Sequence, residues 1–276
     1  MWNIGQPVNW GAPLNRGLLA WWLRPPVQVS TVRFLDMRQW HHATLTGGPS
    51  WGGPSHTRSW GSLVLDGSND YGAIGDPVSL RPAASLTISA WFKTSMTTRG
   101  MMLSSYNGNL TLAQLEIGRN TAGYVDLSIR TGTGSGTTTE YTGATYHDGA
   151  WHQVVGTHDD NVQDAIYVDG KQVLTGSAAS GSMNGETQNW CIGCENGGSN
   201  FFNGALNDIR LYNRVLSASE VAMLYQAGKS GYTHELNWLR PIVGKRAAAA
   251  GGRTTRNTHP WSLGIELGMR IGMPTT

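Results

Sequence analysis

Between Ala205 and Tyr212 apolar and polar residues alternate, and then the period changes. Ala205, Asn207, Ile209 and Leu211 fall on one side of a period of two, with Leu206, Asp208, Arg210 and Tyr212 on the other. This pattern predicts a strand with two differently solvated faces. From Ser217 the spacing becomes helical. Ser217 is a good N-cap, Glu220 completes a capping box, and Val221, Leu224 and Tyr225 recur at helical intervals. Gly228 is placed to stop the helix as a C′ glycine.

The same alternation recurs upstream. Leu86, Ile88, Ala90 and Phe92 share one face of a strand over residues 86–93. Further strands are predicted over residues 61–74, 101–106, 110–117, 124–130, 151–157 and 165–173, with Asp169-Gly170 as a type I′ hairpin turn. Residues 131–139, TGTGSGTTT, read as a flexible or hairpin loop. They lack the Gly-Lys-Ser/Thr and following helix of a phosphate cradle. Residues 1–16 show no sustained period and read as an extended arm, able to span roughly 50 Å. Residues 229–276 read as a basic linker and a second extended arm, with too little apolar material to close a core.

Composition narrows the class. The chain has 276 residues, of which 37 are glycine and 12 tryptophan, and short strand-like runs between many turns indicate an all-β fold. A formal charge of +2 is too small to argue for nucleic acid. No stretch reaches transmembrane length, so no membrane span is expected. The N-terminus has no basic n-region, and its first apolar run, residues 18–23, is short for a secretory signal, so export by a non-classical route or release by lysis is expected. Cys191 and Cys194 lie in a run that reads as a strand. Residues three apart on a strand face opposite sides roughly 10 Å apart, which predicts two unlinked thiols.

Several of these stretches carry a resemblance. Phe202, Gly204, Leu206, Asp208, Ile209, Arg210, Leu211, Tyr212, Asn213, Arg214, Leu216 and Ser217 match the closing motif of laminin-G-like domains of the concanavalin A-like lectin/glucanase superfamily. Asn207 departs from it, standing where the family usually has Asp. The runs GLLAWWL from Gly17, DMRQWHHATL from Asp36, GSLVLDGSNDYGAI from Gly61, LTISAWFK from Leu86, WHQVVGT from Trp151 and AIYVDGKQV from Ala165 also resemble strands of that family. The resemblance implies a two-sheet antiparallel jelly-roll sandwich over residues 17–228, flanked by the arms of residues 1–16 and 229–276.

The candidate chemistry is sparse. Asp66 and Asp70, and Asp159 and Asp160 beside His158, are two polar clusters that a Ca²⁺ ion could use; turn chemistry alone explains both. The adjacent His41 and His42 read as strand-edge residues or metal ligands. A retaining glucanase of this fold needs two carboxylates about 5 Å apart. Glu116, Asp126 and Glu140 stand isolated in sequence, and neither a Ser-His-Asp order nor H-E-x-x-H occurs, so no catalysis is expected. The expected role is a non-catalytic structural protein of a virion, most simply a bacteriophage capsid decoration protein. Trp2, Trp10, Trp238 and Trp261 would anchor the arms on virion partners or further copies of the chain, with Arg240, Lys245, Arg246, Arg253 and Arg256 adding charge. The alternative is an extracellular or surface carbohydrate-binding or adhesion module, Ca²⁺-dependent or not, whose partners are glycans.

Overall fold

The computed structural model describes residues 11–24, 32–53, 55, 61–82, 84–106, 111–131, 136–160, 162–178, 189–195 and 198–230, with backbone alone at 106, 111–112, 131 and 136–139. The chain divides into two units, Met1–Trp238 and Leu239–Thr276, and the described residues all belong to the first. Trp2, Trp10, Trp238, Arg240, Lys245, Arg246, Arg253, Arg256 and Trp261 lie outside the described residues.

Sixteen strands and one helix are described. In chain order they are β1 (Leu18–Trp22), β2 (Arg33–Phe34), β3 (Ala43–Thr46), β4 (Ser50–Gly52), β5 (Ser62–Asp66), β6 (Tyr71–Gly75), β7 (Leu86–Lys93) and β8 (Gly100–Tyr106). Then follow β9 (Thr111–Ile117), β10 (Val125–Thr131), β11 (Gly136–Tyr141), β12 (Trp151–Asp159), β13 (Gln163–Val168), β14 (Lys171–Gly176), β15 (Asn189–Ile192), β16 (Asn203–Tyr212) and α1 (Ala218–Ser230). They form two antiparallel sheets. The first runs β14-β13-β12-β7-β16-β5-β4 with β1 also on β16; the second runs β11-β10-β9-β8-β15-β6-β3-β2. Residues 136–139, expected in a loop, instead extend the hairpin partner of β10.

The core lies between the sheets. Leu86, Ile88, Ala90 and Phe92 face inward from β7, as their alternation predicts, and meet Leu115, Ile117, Leu127 and Ile129 of the second sheet. A second apolar cluster covers the outward face of the first sheet. Trp21, Val155, Tyr167 and Tyr212 pack there under Val221 and Leu224 of α1 and under Leu14. Residues 11–16 therefore depart from the extended reading. Pro13–Asn15 form a 3-10 turn that buries Leu14, and Arg214 binds the carbonyls of Pro13 and Arg16.

The capping box forms as read. The Glu220 amide donates to Ser217 Oγ at 3.3 Å, and a Glu220 carboxylate oxygen accepts from the Ser217 amide at 2.9 Å. Gly228 has a different part from the one expected. The helix runs past it to Ser230, and a Cβ there would come within 2.7 Å of Trp91 Nε1. It permits the close approach that lets Tyr225 stack on Trp91, with centroids 5.4 Å apart.

Two other expectations are corrected. In β16 the register slips between Asn207 and Arg210, where Asp208 takes φ 46°. This bulge resets the alternation. Leu206, Ile209 and Leu211 all enter the core, while Asn207, Arg210 and Tyr212 pair with Trp91, Ser89 and Thr87 on the outward face. Asn207 stays buried and bonded, donating to Ser55 Oγ and accepting from the Arg24 amide. The cysteines form a disulfide, with Cα atoms 5.9 Å apart. Strand β15 ends at Ile192, and Gly193 turns the chain with φ 82°, which draws the two residues together.

Candidate functional site

The second sheet turns a polar face outward, and its strands β9 and β10 assemble a charged cluster there. Leu115 and Ile117 alternate into the core, so Gln114 and Glu116 point away from it; Asp126 and Ser128 do the same on β10. Register then makes Glu116 and Asp126 cross-strand neighbours. The two carboxylates that stand apart in sequence are a pair in space, both without exposed surface. Glu140 is not part of it. It pairs with Leu127 on the other face and accepts from the Ser177 amide.

Two arginines cover the pair. Arg99 Nε donates to Glu116 Oε2 at 2.5 Å, and Arg119 Nη1 donates to Oε1 at 3.1 Å, where Ser128 Oγ also donates at 3.2 Å. Asp126 accepts from Asn120 Nδ2 at 2.7 Å and from the Arg119 amide at 3.2 Å. Gln114 Nε2 donates to Glu195 Oε1 at 2.9 Å, which brings the turn after the disulfide onto the cluster. Burial, and then the charge of Glu116, push Asp126 up to about 6; Asn120 and Arg119 pull the other way.

Aromatic pairs lie to either side along the sheet. Tyr141 on β11 is the partner of Asp126 and shares its face; it stacks on Tyr124 at 6.1 Å and is 48% exposed. Tyr71 on β6 meets Phe201 at 6.3 Å. From β11 to β6 is five strand spacings, roughly 24 Å. The face can therefore lie along several linked sugar rings, with π-surfaces at the ends and hydrogen-bonding groups in the middle.

The residues singled out for cations make hydrogen bonds within their own turns and between neighbouring strands. Asp66 Oδ1 accepts from the Ser68 and Asn69 amides, bonds that hold its carboxyl below the usual range, and Asp70 Oδ2 accepts from the Asp66 amide. His158 and Asp159 belong to β12 rather than to a linking loop. His158 is buried, its Nδ1 2.6 Å from Asp164 Oδ1, and Asp159 accepts from Ser85 Oγ. Asp160 follows in the turn. Asp66 lies at the Lys93 end of β7 and Asp159 at its Leu86 end, so the two clusters sit at opposite ends of the sheet. Among the described residues, no group of three or more His, Cys, Asp and Glu side chains is arranged to hold a metal. His41 Nε2 meets Ser79 Oγ at 3.0 Å, and His42 Nδ1 accepts from the Asp36 amide. Burial lowers the pKa of both histidines.

Arg99, Arg119, Gln114 and Tyr141 carry no sequence motif. The available signal is polar residues at alternate positions, Gln114 and Glu116, then Asp126 and Ser128, within otherwise apolar strands.

A family model described as the concanavalin A-like lectin/glucanases superfamily matches residues 66–222, more than half of the chain. The adhesion G-protein coupled receptor V1 of Danio rerio is 28% identical over 163 residues, 56% of this chain and 3% of the receptor. Among solved structures, domain 4 of AbnA, a GH43 extracellular arabinanase from Geobacillus stearothermophilus in complex with arabinotriose, matches with TM-score 0.58 at 17% identity, covering 76% of this chain and 98% of that one. The binding domain of botulinum neurotoxin serotype D/C matches with TM-score 0.58 at 13% identity, covering 78% of this chain and 53% of that one. The chain thus spans a small part of the receptor and about half of the toxin domain. At these structural identities the likeness establishes a fold. Among the described residues no helix is long and apolar enough to cross a membrane.

Proposed function

We propose, from the premise that the chain belongs to the concanavalin A-like lectin/glucanases superfamily, that it is a non-catalytic carbohydrate-binding or adhesion module. The observation that carries this reading is the outward face of the second sheet, where two arginines anchored on the buried Glu116 carboxylate stand between two aromatic pairs. The relatives support it. They are a binding domain of a toxin, a domain seen with arabinotriose, and a receptor named for adhesion. A disulfide also suits a protein working outside a reducing compartment. The capsid-decoration reading draws on the arms of residues 1–16 and 229–276, most of which lie outside the described residues, and is the less supported of the two.

Catalysis is not part of the proposal, although Glu116 and Asp126 are neighbours. A glycosidase carboxylate must reach the scissile bond. Here both carboxylates have no exposed surface, and Glu116 is covered by two guanidinium groups.

Titration of the full chain with an oligosaccharide panel tests the reading. At least one member should bind. Tyr141→Ala should weaken that binding by roughly threefold to tenfold, the range expected for one aromatic contact. Its melting temperature should barely move, since Tyr141 is half exposed. A panel without a single binder would defeat the reading, as would release of reducing ends.

A further inference from the structure

We propose that Arg99 and Arg119 select glycans carrying an anionic group, a carboxylate or a sulfate, over their neutral counterparts. The proposal rests on the glycan-binding reading and narrows it to a substrate class.

The guanidinium groups are held by a shared buried carboxylate. Glu116, without exposed surface, takes Nε of Arg99 and Nη1 of Arg119 from beneath. Gln114 Oε1 lies 3.4 Å from Arg119 Nη1, and Arg99 Nη2 reaches Gln114 and Glu195 at 3.5 Å. Donors remain. Nη1 of Arg99, and Nε and Nη2 of Arg119, have no acceptor among the described residues, and the two side chains keep 27% and 35% of their surface exposed.

A planar guanidinium held through one or two of its nitrogens presents its remaining donors in a set geometry. Two oxygens of a carboxylate or a sulfate match that geometry, and the bonds are charge-assisted. The side chains are already ordered, so little rotamer freedom is lost on binding. A neutral hydroxyl gains less, because it replaces water with an equivalent bond. Glu116 and Glu195 offset much of the arginine charge at long range. Selection would therefore come from direct contact rather than from steering. Tyr141 adds the neighbouring surface. It pairs with Asp126, which accepts from the Arg119 amide, so a sugar stacked on Tyr141 would lie one strand from the backbone of Arg119.

The test uses the full chain and matched pairs of oligosaccharides, each neutral sugar beside its sialylated or its sulfated form. Expected is binding of an acidic member roughly tenfold tighter than its neutral counterpart. Preference for sialylated forms alone would assign the carboxylate, and for sulfated forms alone the sulfate; either supports the proposal. Arg119→Lys keeps the charge, loses the fork and should lose most of the preference. Arg119→Gln strips a partner from buried Glu116, so the triple variant Arg99→Gln/Glu116→Gln/Arg119→Gln, which removes both guanidinium groups and the carboxylate they cover, is the second arm. With its fold checked by melting, it should bind both members of a pair alike. Equal binding of neutral and acidic members by the wild type, or a preference that survives the triple variant, overturns the proposal and leaves glycan binding standing. No binding to any member overturns both.

Discussion

Replacing Arg210 with methionine is expected to lower the unfolding free energy by about 3–5 kcal/mol. Arg210 and Asp208 are both without exposed surface, and Arg210 Nε donates to Asp208 Oδ1 at 2.7 Å. Trp21 closes the arrangement, its Nε1 donating to the same oxygen at 2.5 Å while the guanidinium lies 3.9 Å from the indole centroid. Methionine fills much of the volume but leaves Asp208 charged and buried without its counter-ion. The double variant Asp208→Asn/Arg210→Met removes that charge and keeps a residue that tolerates the positive φ of position 208. It should recover most of the loss. Urea unfolding of the three proteins measures both effects. A loss below about 1 kcal/mol in the single variant would show that the pair does not hold the bulge of β16 in place.

A second large effect is expected from pH. The Asp126 carboxyl ordinarily titrates near 3.8 and is raised to about 6 in the folded protein. Between those values the folded state binds more protons than the unfolded one, so stability falls as pH rises. The contribution is fully present below about pH 4 and lost above about pH 6, and it amounts to roughly 3 kcal/mol. Asp126→Asn lacks this dependence. The stability of the wild type relative to this variant should therefore drop by that amount between about pH 3 and pH 7. His152 acts in the same sense at higher pH. A hydrogen bond that its Nδ1 donates to Asp169 raises it above its ordinary 6.5, so its contribution fades as pH climbs through the raised value. The two windows do not coincide, and comparing Asp126→Asn with the wild type isolates the lower one. A relative stability that is flat or rises with pH would refute the assignment at Asp126.

The strands were legible because burial is periodic. Alternation from Leu86 to Phe92 places four residues in the core, and Ser217 with Glu220 marks the helix start. What failed to show were features that break a period. One residue with positive φ at Asp208 exchanges the faces on either side, and sequence alone carries no mark of it. Gly193 likewise turns the chain where an apolar run suggested continued strand, which brings the cysteines together. The candidate site is less legible still. Glu116 and Asp126 are paired by register across the sheet, and Arg99 reaches Glu116 from before β8. Such contacts depend on which strands become neighbours, and that is settled by topology rather than by spacing along the chain.

The disulfide gives the second sheet a built-in reporter. Cys191 and Cys194 are almost wholly buried, and Cys191 lies on β15 between β8 and β6. Once the bond is reduced, an alkylating reagent can reach these thiols only while the strand is detached from its neighbours. The capture rate then measures the population of that local opening, separately from global unfolding. Glu195, which accepts from Gln114 and Asn200, directly follows the second cysteine. The labelling clock thus runs beside the face that would hold a glycan, and slower capture when a sugar is added would convert occupancy into a change in thiol reactivity.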